Sequence, residues 1–321
     1  MTRVSRREFV VGASALALAA AVARPAFAAD VVRIGYIGDF NGASLAAIAT
    51  DQKLWAEHGL DPDLKVFTNG PIQIQAFGSG SLDFGYVGPG ALWLPASGRA
   101  KVVAINNLGE ADRVIAQAGL RTLADLKGKK VGVPEGTSGD MLLRLALRKQ
   151  GLSLDDVERI RMDPSTVVAA FASRQIDAAG IWYPLVGVIK ERVPDLVELA
   201  KNADFFPQIA FPTAFVARND VADDLSLKVI AVLKKANAFR AANLEASIAV
   251  TSKFIGVSAD KLATEAANSK FLTTPELEAS AADGTAAGWL STLNTMFKDF
   301  GRLPEPLDPK AYFRADLYKA G

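Results

Sequence analysis

The stretch KVGVPEGTSGDMLLRLALRKQGL, residues 130–152, reads as strand, turn and helix. Val131 and Val133 alternate about Gly132 as in a short buried strand, and Pro134 with Gly136 ends that run before a helical period begins. Thr137 or Ser138 can act as the N-cap, and Asp140 sits in the first turn, where the helix dipole favours an acid. Met141, Leu142, Leu145 and Leu147 then form an apolar face that closes at Gly151. Such a helix start offers backbone N–H groups and hydroxyls to an anion. An ordinary capped helix of an α/β domain satisfies the same pattern, so the surrounding chain has to decide between them.

The same text occurs earlier. Arg33-Ile34-Gly35-Tyr36 leads through Asp39-Phe40-Asn41-Gly42 into a helical stretch ending at Gly59-Leu60, as Lys130-Val131-Gly132-Val133 leads through Thr137-Ser138-Gly139-Asp140 to Gly151-Leu152. Phe77, Ser79, Leu82 and Asp83 then match Phe171, Ser173, Ile176 and Asp177 without a gap, each pair offset by 94 residues (77 to 171, 83 to 177). Each copy runs on through a short strand into a Pro-containing turn, Val87-Gly88-Pro89-Gly90 and Ile181-Trp182-Tyr183-Pro184. Two β-loop-α-β-α-β-loop units predict two similar lobes.

At the amino terminus, Ser5-Arg6-Arg7-Glu8-Phe9, an apolar run from Val10 to Ala23 and Ala26-Phe27-Ala28 read as a signal peptide, residues 1–28, with a twin-arginine segment and cleavage after Ala28. The run is too short and too rich in Ala to span a bilayer stably, so a protein delivered to the periplasm is expected. The 321 residues suit two domains after that leader. A net charge of +1 gives no field for nucleic acid. With no Cys, disulfides and thiolate chemistry are excluded. The single His, His58, precedes Gly59 at a helix end, where a favourable end-charge explains it more simply than a ligand or base role. Neither a metal nor a cofactor is expected.

From Ala118 the polar, turn-rich text up to Gly128 reads as a passage between lobes, and Thr213 to Arg218 reads as a strand carrying the chain back. Beyond Asp220 the pattern is helical, broken at Gly256 and at Thr273-Thr274-Pro275-Glu276. These helices lack a strand of their own and are expected to complete the first lobe. The expected division is residues 29–119 with 214–321 for the first lobe and 120–213 for the second, hinged near Gln117–Thr122 and Phe211–Ala217.

Lys53-Leu54-Trp55-Ala56-Glu57-His58-Gly59-Leu60, Phe77 to Gly85, Asp125 to Pro134, Trp182-Tyr183-Pro184 and Phe271 to Pro275 together resemble the taurine, alkanesulfonate and nitrate type of periplasmic substrate-binding protein. The resemblance covers nearly all of the chain after the leader, in order. It implies a two-lobed, hinged α/β periplasmic binding protein fold of type II, a small-molecule ligand held between the lobes, an ABC transporter permease as partner, a monomer and no catalysis. Thr137 and Ser138 match the family's hydroxyl pair for a sulfonate, and Trp182 matches its cleft aromatic. Gly88-Pro89-Gly90 stands where many relatives carry small hydroxyl residues, and Pro212 and Thr213 stand where taurine-holding relatives place an acid.

In open α/β sheets ligands lie beyond the carboxyl ends of strands, which selects the turns Asp39–Gly42, Val87–Gly90, Gly136–Ser138 and Trp182–Pro184. The expected contacts are therefore Asp39, Phe40, Asn41, Gly88, Pro89, Gly136, Thr137, Ser138, Trp182 and Thr213. Asp39 can equally close an Asx-turn, and Trp182 can equally be core. Asp39, Glu135 and Asp140 would weaken anion binding unless they face outward or meet a cationic part of the ligand. A small organic sulfonate or related anion is the first expectation. A neutral or heterocyclic nutrient such as a pyrimidine precursor is the second, with Asn41, Asn106, Asn107 and Thr213 as its polar partners. An enzyme of the pyrimidine-synthesising branch of this fold is disfavoured, because that branch relies on Cys and several His.

Overall fold

The computed structural model describes residues 29–321. In chain order its strands are β1 Asp30–Ile37, β2 Leu60–Phe67, β3 Phe84–Val87, β4 Lys101–Gly109, β5 Asp112–Ala116, β6 Lys130–Val133, β7 Glu158–Arg161, β8 Ala178–Trp182, β9 Val197–Lys201, β10 Pro212–Ala217 and β11 Ser269–Lys270. They form a six-stranded sheet in the order β11-β4-β10-β3-β1-β2 and a five-stranded sheet in the order β7-β6-β8-β5-β9. Each sheet with its helices is one lobe of a two-lobed α/β fold. The leader expected at residues 1–28 lies outside the described residues. Among the described residues no helix is long and apolar enough to cross a membrane.

The internal repeat is one pairing pattern used twice. β1 lies parallel between β2 and β3, as β6 lies between β7 and β8. β3 then takes β10 antiparallel, and β8 takes β5. The repeated Asp makes the same bond in both copies: Asp83 Oδ2 accepts the Arg33 amide at 3.0 Å, and Asp177 Oδ2 accepts the Lys130 amide at 2.8 Å. Phe77 and Phe171 are each buried in their own core. Ser79 and Ser173 donate back to the Ala76 and Ala169 carbonyls, and the next residue turns left-handed in both, φ +68° at Gly80 and 58° at Arg174. That is how a helix is stopped so that the following strand can begin.

The passage between lobes falls earlier than the sequence expectation. Asp112–Ala116 belongs to the five-stranded sheet, so the chain crosses at Glu110 and Ala111 rather than near Gln117–Thr122. Gly109 and Asp112 flank the point, but no Pro or longer polar run sets it apart, and the text from Val102 to Ala116 runs on through two strands. The polar text from Gly119 to Gly128 is instead a surface connection from β5 to β6 within the second lobe, closed by the Asp125 carboxylate accepting the Arg121 and Thr122 amides. The return leads into β10. Each sheet thus receives, beside its third parallel strand, the strand that has just crossed.

The helices after β10 pack on the six-stranded sheet, with Val229, Leu233, Leu277, Leu290 and Phe297 in its core. They are not without a strand: Ser269–Lys270 pairs antiparallel with the end of β4. The helix Ser138–Lys149 is buried on two sides. Leu142, Leu143, Ala146 and Leu147 face their own sheet, while Met141 and Leu145 join the larger core across the cleft.

Candidate functional site

The carboxyl ends of β1 and β3 face those of β6 and β8 across a cavity of about 40 Å³. That is a few times the space one water needs, which suits a small ligand. Asp39, Asn41, Gly88, Pro89, Thr137, Ser138, Trp182 and Thr213 line it, as the sequence expectation has them. Phe40 and Gly136 do not. The Phe40 ring is fully buried, edge-on to Phe271 at 5.6 Å, and Gly136, with φ +74°, backs onto Trp93 and Arg302 behind the turn.

The two hydroxyls at the helix start differ. Thr137 is the N-cap residue, but its hydroxyl donates at 2.6 Å to the Pro134 carbonyl and so braces the turn. Ser138 is the freer of the two: its side chain is turned toward Asp112 and the Gly88 backbone. Glu135 and Asp140 do not charge the cavity. Asp140 pairs with Arg159 at 3.1 Å and accepts the Gly136 amide, and Glu135 lies between Arg159, Arg161 and Arg302.

Two other acids do. Asp112 and Glu265 line the cavity with Asp39, and all three are buried. Glu265 accepts the Phe40 and Asn41 amides at 2.7 and 2.9 Å, and Asp39 accepts the Gly42 amide at 2.7 Å. The first turn of the helix Phe40–Asp51 is therefore already occupied by carboxylates and has no amide left for an external anion. Burial pushes the Asp112 carboxyl up to about 6, against hydrogen bonding from Ser138 and Asn202. Burial likewise raises Asp39, to about 7, although the Gly42 amide and the Trp182 indole hold it back. Glu265 is raised by burial and then by the neighbouring Asp39 charge. Among the described residues no Lys or Arg lines the cavity.

Sequence reading missed both acids for different reasons. Asp112 opens a strand otherwise fit for a core, and that mismatch is a signal. Glu265 comes from a helix 225 residues beyond Phe40, and nothing local points to it.

Behind the cavity the asparagines are hydrogen-bonded to one another, with Asn106 Oδ1 left without a partner among the described residues. Asn106 Nδ2 reaches the Asn41 carbonyl at 2.9 Å and Asn107 Nδ2 reaches Asn41 Oδ1 at 2.7 Å, while the Thr213 hydroxyl donates to Asn107 Oδ1. Asn106 and Asn107 position Asn41 and Thr213 and do not themselves line the space. Arg240, fully buried, supports this plate through the Asn106 carbonyl, Ser44 and Asn237, and burial lowers its guanidinium to about 9.

The raised acids make a stability prediction. A carboxyl whose folded pKa exceeds its unfolded value favours folding below the unfolded value and loses that advantage as pH rises through the folded one. For Asp112 the window runs from about 3.8 to about 6, worth about 3 kcal/mol. The ligand-free protein should accordingly melt at falling temperature from pH 4 toward pH 7, and Asp112→Asn should flatten that slope. A melting temperature that rises over this window would contradict the assignment.

The profile of the family described as NMT1/THI5 like matches residues 44–246. A candidate binding protein of Brucella abortus is 61% identical over 292 residues, 90% of this chain and 92% of that one. A candidate aliphatic sulfonates-binding protein of Escherichia coli is 28% identical over 254 residues, 73% of this chain and 75% of that protein. Among solved structures, the periplasmic aliphatic sulphonate binding protein SsuA from Escherichia coli superposes with a TM-score of 0.70 at 23% identity, covering 90% of this chain and 99% of that one.

Proposed function

The chain belongs to the NMT1/THI5-like family, and from that premise we propose that it is the periplasmic substrate-binding component of an ABC importer, with no catalytic activity of its own. The observation that carries this reading is a small cavity whose walls come from both lobes. Such a site captures by closure. The leader at residues 1–28, with Arg6 and Arg7 as its twin-arginine pair, would deliver the chain as a monomer to the periplasm, where it would meet its permease.

The first ligand reading is a small organic sulfonate or related anion, supported by the aliphatic sulfonates named for a relative and by the helix start at Ser138. The second is a neutral or heterocyclic nutrient, favoured by a cavity that has three acids and, among the described residues, no Lys or Arg in its wall. Ser138→Ala separates them. It should weaken a bound anion roughly tenfold or more, the effect of losing one hydrogen bond to a charged group, and it should change a neutral ligand's affinity much less. Thr137→Ala, by contrast, should act on stability.

The importer reading is tested by mass spectrometry of small molecules released from protein purified without refolding, followed by thermal-shift titration with what is released. A true ligand at about a hundred times its Kd should stabilise by roughly 2.7 kcal/mol. Turnover of any released compound would sink the non-catalytic part of the proposal, and the absence of any stabilising small molecule would sink the whole.

A further inference from the structure

The cavity wall is one-sided in charge and in hydrogen bonding. Asp39, Asp112 and Glu265 bring three carboxyls to it. Glu265 is spent on the Phe40 and Asn41 amides. The other two are only partly spent. Asp112 accepts from Asn202 through Oδ2 at 3.1 Å and has the Ser138 hydroxyl turned toward it, while among the described residues its buried Oδ1 has no partner within hydrogen-bond distance. Asp39 has its Gly42 bond on Oδ1.

The nearest cations are turned elsewhere. Arg113, next to Asp112, directs its guanidinium to Glu198, Asn268 and the Glu110 and Asp112 carbonyls, and makes no hydrogen bond to the Asp112 carboxyl. Arg240 serves Ser44, Asn106 and Asn237. The remaining walls include the Trp182 indole and the Tyr86 ring, whose faces attract a cation. A buried carboxylate oxygen without a donor is costly in a closed site unless the guest supplies the donor.

We propose that Asp39 and Asp112 together hold a nitrogen group of the captured molecule, cationic or rich in N–H, in the closed cavity. The proposal rests on the reading of this cavity as the ligand site and narrows the ligand's class. A molecule that is only an anion would meet the Asp112 carboxyl beside the Ser138 hydroxyl at the helix start. An aminosulfonate and an aminopyrimidine share the required group, and the rest of each molecule distinguishes them.

Matched pairs test this by calorimetry on the mature protein: taurine against its hydroxyl analogue isethionate, and an aminopyrimidine against the corresponding methylpyrimidine. The nitrogen-bearing member of at least one pair should bind tenfold or more tighter than its analogue, and Asp112→Asn and Asp39→Asn should each remove most of that preference. Because Asn is nearly isosteric with Asp, a melting curve on each variant separates lost recognition from lost fold. The nitrogen-free member binding as tightly as its partner in both pairs would overturn the proposal while leaving the importer reading intact. If no probe binds and no small molecule is released from the purified protein, the cavity is not a ligand site and both readings fall.

Discussion

Gly90→Ala should leave the ligand-free protein folded and lower its ligand affinity roughly a hundredfold or more, about 2.7 kcal/mol. Gly90 lies on the first lobe, in the turn after β3, and meets the backbone of the second lobe where the helix Ser138–Lys149 begins. A Cβ there would stand 2.5 Å from the Ser138 nitrogen and closer still to the Thr137 carbonyl. Backbone cannot step aside as a side chain can, so the lobes would have to separate. Separation would take Ser138 and Trp182 away from Asp39 and Thr213 on the opposite wall of the cavity.

Beyond Met141 and Leu145, which reach the larger core across the cleft, the ion pairs between the lobes add little. The crossing ion pairs Arg148–Asp299, Lys261–Glu191 and Arg302–Glu135 are all partly solvated, and pairs of that kind contribute about 0 to 1 kcal/mol each. They cannot hold the cleft shut against a steric clash. Small-angle scattering should show wild type compacting when ligand is added and Gly90→Ala failing to do so. Equal compaction with wild-type affinity would show that the contact at Gly90 is not part of closure.

What was legible in the sequence was local. The match of Phe77, Ser79, Leu82 and Asp83 to Phe171, Ser173, Ile176 and Asp177, and the four turns at strand ends, are each set within a short span, so residue type and spacing carry them. The crossing at Glu110–Ala111 was hidden because a strand that enters one sheet and a strand that leaves the other have the same apolar pattern. The acid wall was hidden for a deeper reason. Whether a carboxylate faces a cavity, caps a helix or meets an arginine depends on which distant segment lies opposite. Glu135 and Asp140, which weaken anion binding unless they face outward, turn away from the cavity to Arg144, Arg159, Arg161 and Arg302. Asp112 and Glu265 do line it. Gly88-Pro89-Gly90 was read as a loss of anion donors, whereas the geometry gives Gly90 a steric reason to be glycine.

The same substitution at Gly180 should have the opposite signature. Gly180 is in β8 and faces Gly139 in the first turn of the helix Ser138–Lys149, inside one lobe. A Cβ on Gly139 would stand 2.5 Å from the Gly180 carbonyl oxygen and 2.8 Å from the Ile181 nitrogen, and a Cβ on Gly180 would press as hard on the Gly139 carbonyl and reach Val133 at 3.2 Å. No hinge relieves this contact. The helix must lift from its sheet, taking Leu142, Ala146 and Leu147 out of register with the second lobe's core. Overpacking of this sort costs about 1 to 3 kcal/mol and more where only backbone can yield, so Gly180→Ala is expected to lower the melting temperature of the ligand-free protein by several degrees. Affinity should fall as well, because Ser138 moves with the helix, but only as a consequence of that shift. The two variants are therefore a paired test of where the lobes divide. One clash can be escaped by opening and should appear in affinity with stability kept; the other cannot, and should appear in stability first. If Gly180→Ala melts like wild type while Gly90→Ala is the unstable one, the helix at Ser138 belongs mechanically to the first lobe, and the cleft lies elsewhere than at this cavity.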